Sequence, residues 1–178
     1  MSASVSLHPH PATPAPPGET LRVRYRLDSG GIELFYRYCG NPAALRLPER
    51  QIPGPADDLW RRTCCEAFVA ATDSPSYREF NFSPSGQWAT YLFADYRQRA
   101  DHDLPVALLP IEFERRGDGF ALRALIPSAL LPAGPLQVGL SAVIEGADGK
   151  IHYRALAHGG EQPDFHLRQT FTLTLQRP

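Results

Sequence analysis

Apolar and polar residues alternate from residue 21 onward. Leu21, Val23, Tyr25 and Leu27 are interleaved with Arg22, Arg24 and Arg26, a period of two that gives an extended strand two chemically different faces. Asp28-Ser29-Gly30-Gly31 supplies turn chemistry, and Ile32, Leu34, Tyr36 and Tyr38 then alternate again. The pattern predicts a hairpin with one wet face. Its three arginines read as a solvated face that protects a sheet edge, not as a phosphate site.

Residues 41–58 contain four prolines and no period, so they form a loop that delivers the chain to Asp57, Asp58 and Trp60. Three strands follow. The first, 63–71, puts Cys65, Ala67 and Val69 on one face and Cys64, Glu66 and Phe68 on the other. The second, 77–82, separates Phe80 and Phe82 from Tyr77, Glu79 and Asn81. Ser83-Pro84-Ser85-Gly86 turns the chain into the third, 87–93, whose pattern sets its register weakly. After a loop over 97–110, the strands 111–115 and 120–125 flank Gly117-Asp118-Gly119, a hairpin signal. Residues 127–131 fit one helical turn begun by proline. Strands 136–145 and 150–157 flank Ala147-Asp148-Gly149, residues 158–167 form a polar loop, and 170–175 closes the series. Residues 8–18 are Pro-rich and read as an extended lead-in. About nine short strands with turn signals between them and no long helical period predict an all-β fold, an antiparallel β-sandwich. The expected division is a lead-in over 1–20 and one domain over 21–178.

Composition narrows the function classes. The chain has 178 residues and a net charge of −1, so it lacks the basic footprint of a nucleic-acid or membrane binder. No apolar window reaches the ~18 residues a membrane helix needs. The first residues lack a charged-then-apolar segment, and a cytoplasmic protein is the expectation. Three cysteines, two of them the neighbours Cys64 and Cys65, suggest reduced thiols. Oligomeric state is left open.

The stretch 59–97 carries the candidate chemistry. It holds both tryptophans, four of the nine phenylalanines, and the carboxylates Glu66 and Glu79 set within apolar runs. Glu66 and Glu79 have a spacing compatible with a glycosidase-like acid–base pair on adjacent strands; arginines such as Arg78 or Arg97 would simply neutralise it, and no enzyme is expected. Ser83-Pro84-Ser85-Gly86 lacks the leading glycine of a nucleophile elbow. His152, His158, His166 and Asp164 match no zinc spacing, so no metal is assigned. An aromatic platform suits the residues better: sugar C–H faces stack on indole or phenol rings while hydroxyls bond to Glu, Asn, Gln or Arg. Trp60, expected to open a strand, is the platform candidate, and Trp88 reads as core.

Leu59-Trp60-x-x-Thr63-Cys64-x-Glu66-Ala67-Phe68, followed by Tyr77-Arg78-Glu79-Phe80-Asn81-Phe82-Ser83-Pro84-Ser85-Gly86-x-Trp88-Ala89-x-Tyr91, resembles the bacterial DOMON-like proteins, relatives of family 9 carbohydrate-binding modules. Ala155-Leu156-Ala157-His158 and Pro163-Asp164-Phe165-His166 extend the resemblance, which runs from about Leu21 to the C-terminus. It implies an antiparallel β-sandwich of jelly-roll or immunoglobulin-like arrangement. In the family 9 modules two tryptophans clamp a terminal sugar, with glutamate, arginine and asparagines on its hydroxyls. Trp60 resembles the first tryptophan, Glu66 the glutamate and Asn81 an asparagine; Glu79 stands where the arginine would be. Ser141, in Gly139-Leu140-Ser141, replaces a polar amide. The second tryptophan would fall near Ala157-His158, and Phe165, Tyr153 or His158 is the substitute. The wider superfamily also binds haem, often through Met and His; with only Met1 present, two histidines would be needed.

The sequence thus points to a non-catalytic small-ligand domain that takes a carbohydrate or sugar-containing metabolite and no cofactor. The expected concave face has Trp60 as platform, Glu66, Glu79, Asn81 and Ser141 as polar partners, and Tyr153, His158 and Phe165 as wall. The alternatives are a haem or redox-cofactor binder using His158 or His166, and an interaction module without small ligand.

Overall fold

The alternating stretches pair as two antiparallel sheets. The computed structural model describes residues 2–105 and 107–177. The strands are β1 (Ala3–Ser6), β2 (His8–Pro9), β3 (Thr20–Asp28), β4 (Gly31–Cys39), β5 (Cys64–Ala71), β6 (Tyr77–Phe82) and β7 (Trp88–Asp95), then β8 (Gln98–Arg99), β9 (Ile111–Arg116), β10 (Gly119–Pro127), β11 (Leu136–Glu145), β12 (Ile151–Ala155) and β13 (Leu173–Leu175). One sheet runs β1-β3-β4-β10-β9, and the other β2-β12-β11-β5-β6-β7-β8, with β13 paired to β11. The fold is the expected all-β antiparallel sandwich.

The main core lies between the sheets. Leu21 and Val23 of β3, Leu34, Tyr36 and Tyr38 of β4, and Phe120, Leu122 and Ala124 of β10 meet Cys65, Ala67 and Val69 of β5, Phe80 and Phe82 of β6, and the inner face of β11. Trp88 belongs to this core. Each fully buried Leu, Val or Phe side chain contributes about 1.5–3 kcal/mol, so this layer dominates stability. The inner pattern is the sequence period, because one strand position in two points inward.

The larger sheet is apolar on its outer face too. Phe68, Ala70, Tyr77, Ala89, Tyr91, Phe93 and Phe171 form a second cluster there, with Leu59 and Phe165 against it. Strand β5 is therefore buried on both faces for nearly its whole length, which explains its near-continuous run of small and apolar residues. Gly139 of β11 lies opposite Phe68. A Cβ there would come within 2.8 Å of the Phe171 ring, so glycine is what allows the 158–171 segment to lie flat on the sheet.

Several expectations need correction. The boundary expected between a lead-in 1–20 and a domain 21–178 falls inside paired structure, since β1 pairs with β3 and β2 pairs with β12. Proline at the edge position of β2 needs no donor, which reconciles it with a sheet. Two contacts fix the segment: Leu7 is buried at 3% exposure, and Glu19 accepts from the buried Arg154 guanidinium at 2.7 Å. The loop over 97–110 contains β8, which pairs with the end of β7. Residues 170–175 begin as a 3-10 turn at Arg168–Thr170 and reach strand geometry only at β13. Trp60 does not open a strand but sits in a 3-10 turn, Leu59–Arg61, after Asp58 in left-handed conformation (φ 59°).

Candidate ligand-binding site

Side-chain parity places a set of groups on the outer face of the larger sheet. Across it, Ser141 of β11 faces Glu66 of β5, and Glu66 faces Asn81 of β6. In the next row Phe68 faces Glu79, and Glu79 faces Tyr91 of β7. The two carboxylates thus stand diagonally on adjacent strands. Above them is an open hollow of about 350 Å³, within the roughly 300–1,000 Å³ usual for small-molecule sites. Glu66 and Glu79 reach it from below. Around it stand Trp60, Tyr91, Phe93, Tyr153, Pro163 and Phe165, with Arg97, Arg99 and His166.

Two of the buried polar atoms on this face are without a partner. Glu66 is 2% exposed. Its Oε2 accepts from Ser141 Oγ at 3.4 Å, and its Oε1 has no partner. Asn81 Nδ2 donates to Glu79 Oε1 at 3.0 Å, and Asn81 Oδ1 is likewise without a donor. Buried polar atoms are normally paired, so each such orphan calls for an explanation. Burial, and after it the Glu79 charge, pushes the Glu66 carboxyl well above its ordinary value, against a smaller opposing effect of the Ser141 hydroxyl. Burial also raises Glu79, although Asn81, Arg99 and Arg97 pull it down.

The wall is held by a separate network. Tyr77 Oη accepts the Arg97 backbone N–H at 3.1 Å, so its own proton is free to go to His166 Nδ1, 2.8 Å away. That tautomer leaves the Nε2 hydrogen of His166 towards Glu79 Oε2 at 3.9 Å. Burial, with the nearby Arg97 charge, lowers His166 to about 4, so the ring is neutral at pH 7. Asp164 gathers the rim: it accepts from Arg97 Nη2 at 3.0 Å and from the His166 N–H at 2.9 Å, and also from Tyr96. Burial alone would raise its carboxyl, but these bonds hold it below the usual value. Arg99 lies 3.7 Å over the Tyr91 ring, a cation–π contact. Among the described residues, the two non-glycine residues with left-handed backbone are Asp58 and Arg97; Arg97 lines the hollow and Asp58 opens the turn that carries Trp60. Such conformations cost on the order of 1–3 kcal/mol and concentrate where geometry is functionally constrained.

The expected site residues divide into three groups. Trp60, Glu66, Glu79, Tyr153 and Phe165 converge on the hollow. Asn81 and Ser141 stand beside the carboxylates on the same face but support them from within, hydrogen-bonded to Glu79 and Glu66. His158 is not part of the wall: its Nε2 is 2.8 Å from the His8 carbonyl and its ring meets His10 edge-on, because the docked N-terminal strand draws it to the sheet edge. His152 points to the Pro14 carbonyl, so the three histidines of that region are dispersed. No group of three or more His, Cys, Asp or Glu among the described residues is arranged to hold a metal. The lining residues not expected were Phe68, Tyr91, Phe93, Arg99, Val143 and Pro163, while Arg97 and His166 were expected only as a neutralising charge and an alternative haem ligand. Tyr91 and Phe93 share the parity of Glu79 through the β6–β7 register, a signal present in the sequence once that register is fixed.

A second hollow, about 450 Å³, lies between Arg24, Arg26, Glu33, Glu112 and Arg123. Its carboxylates are paired, Glu33 with Arg26 and Arg123, and Glu112 with Arg123, Arg24 lies over the Phe35 ring, and none of its atoms is among the buried orphans.

No family model matches the chain. The mouse UPF0462 protein C4orf33 homolog is 29% identical over 127 residues, which span 67% of this chain and 64% of that protein. Among solved structures, a candidate carbohydrate-binding protein from Bacteroides uniformis superposes with a TM-score of 0.72 at 16% identity, covering 100% of this chain and 86% of its own. A family 9 carbohydrate-binding module from Caldicellulosiruptor kristjanssonii, in complex with glucose, gives 0.65 at 7% identity, covering 97% and 83%. The same organism's family 9 module with cellotriose gives 0.58 at 8% identity, covering 96% and 81%. At these identities the likeness establishes a fold shared with family 9 modules.

Proposed function

We propose that the protein binds a small carbohydrate, without transforming it, in the outer-face hollow of the larger sheet. One observation carries the reading. An open cavity has aromatic walls, and at its floor lies a buried carboxylate oxygen, Glu66 Oε1, that nothing in the protein satisfies. Unfilled, that atom costs roughly 1–3 kcal/mol; a ligand hydroxyl or other donor would recover it. Trp60, 46% exposed, offers the apolar surface on which a sugar ring's C–H face stacks. The fold shared with carbohydrate-binding modules supports the same ligand class.

Glu66 and Glu79 do not act here as an acid–base pair. Both carboxyls are shifted in the same direction, upward and chiefly by burial, whereas an acid–base pair needs environments that push its two members apart. Their work is to hold and orient. Isothermal titration calorimetry against a panel of mono- and disaccharides tests the proposal. At least one sugar should bind, and Trp60→Ala should weaken it about tenfold or more, about 1.4 kcal/mol. Silence across the panel, or undiminished binding in the variant, would overturn it.

A further inference from the structure

We infer that the cavity selects a sugar bearing a protonated amine, an amino sugar, over its neutral counterpart. The inference rests on the carbohydrate reading above and adds the ligand's charge.

The two carboxylates that line the hollow present acceptors to it. Glu66 Oε1 has no donor, and Glu79 Oε2 has only the His166 ring at 3.9 Å. A neutral hydroxyl can satisfy one such atom, but it also brings lone pairs, for which the His166 Nε2 hydrogen is the donor beside the carboxylates. An ammonium group brings three donors and no acceptor, which matches a floor of this kind.

Charge points the same way. Two carboxylates sit diagonally on β5 and β6; among the described residues neither is ion-paired with an arginine or lysine, and the charges of Arg97 and Arg99 reach Glu79 from a distance. Each cation of the wall is otherwise engaged. Arg97 is paired with Asp164 at 3.0 Å, and Arg99, at the exposed mouth, is stacked on Tyr91. His166 adds no charge, since its Nδ1 takes the Tyr77 proton. With Arg97 matched by Asp164, two carboxylates face the single remaining charge of Arg99. A buried carboxylate without a counter-ion is costly, and like charges on neighbouring strands add to the cost. A ligand cation set between them removes both penalties. Trp60, Phe68 and Phe165 supply ring surface around that position, which favours a cation further. Arg99 at the mouth disfavours cations that stay shallow, so the amine is selected at depth.

The test compares glucose, glucosamine, N-acetylglucosamine and glucuronate by calorimetry on the full chain, at about pH 6.5, where an aliphatic amine is protonated. Charge-assisted hydrogen bonds are roughly twice as strong as neutral ones, so glucosamine should bind about tenfold or more tighter than glucose, and acetylation should remove the advantage. In Glu66→Gln, and independently in Glu79→Gln, the glucosamine-to-glucose affinity ratio should fall towards one; thermal melts of both variants confirm folding. Equal binding of glucose and glucosamine, tighter binding of glucuronate, or an unchanged ratio in both variants overturns amine selection and leaves the carbohydrate reading standing. If none of the four sugars nor any other member of the panel binds, the carbohydrate reading falls and this inference with it.

Discussion

The two tryptophans show how one residue type is put to two uses by its surroundings. Trp88 starts β7, is 7% exposed and belongs to the core between the sheets. Trp60 stands on a 3-10 turn, 46% exposed, at the lip of the hollow. Truncating a large buried aromatic removes its transfer energy and leaves a cavity, about 3–5 kcal/mol. For a chain of this length that corresponds to roughly 6–20 °C in melting temperature. Trp88→Ala should therefore melt far below the parent, while Trp60→Ala should melt within about 2 °C of it, because an exposed ring away from caps and networks changes stability by only about 0.5 kcal/mol. Differential scanning calorimetry decides this; comparable losses in both variants would mean that Trp60 is structural.

At the scale of elements, the parts that the chain fixes locally differ from those fixed only by assembly. Leu7→Ala should lower stability by about 2–5 kcal/mol, read in a denaturant melt. Leu7 is buried between β1 and β2 and its N–H bonds to the Leu21 carbonyl at 2.8 Å, although it precedes a Pro-rich run that reads as unstructured. Gly139→Ala should cost about 1–3 kcal/mol, because the new Cβ would meet Phe171 at 2.8 Å and lift the segment that carries Phe165 and His166; the sugar-binding constant should fall together with the melting temperature. Both positions mark the limit of sequence reading. The hairpins β3–β4 and β9–β10 were legible because period and turn chemistry agree within a few residues. So was the parity of β5 and β6, and with it the pairing of Glu66 and Glu79 on one face. The docking of β2 on β12 depends on Glu19 meeting Arg154, 135 residues apart. The placing of Arg97, Arg99 and His166 around the same hollow depends on the β7–β8 turn meeting the 158–171 segment. Neither contact leaves a local pattern. His158 was misread for the same reason: its partners, His8 and His10, come from the other end of the chain.

Taken as a whole, the molecule carries buried groups whose titrations act on stability in opposite directions, and its pH profile should reveal both effects. His166 falls from 6.5 in the unfolded chain to about 4 in the fold, chiefly through burial. Its contribution is therefore present above pH 6.5 and is lost as pH falls through the window down to about 4, by at most about 3 kcal/mol. Glu66 and Glu79 are raised above 4.5, chiefly by burial. Their contribution is fully present below pH 4.5 and is lost as pH rises through their elevated folded values, because the unfolded chain gives up those protons first. Without ligand, the two effects therefore oppose each other between about pH 4.5 and 6.5; below that window the His166 loss continues, and above it the carboxyl loss does. Glu66→Gln, which cannot ionise, should flatten the decline towards neutral and alkaline pH and leave the acid limb in place. His166→Asn should shallow the limb between about pH 6.5 and 4 without altering the other. Melting curves of the three proteins from about pH 4 to 9 separate the two effects. A Glu66→Gln profile parallel to that of the parent above pH 6.5 would show that the carboxylate is solvated or matched by a counter-ion in solution, and the hollow would then lose the unsatisfied acceptor on which its ligand chemistry depends.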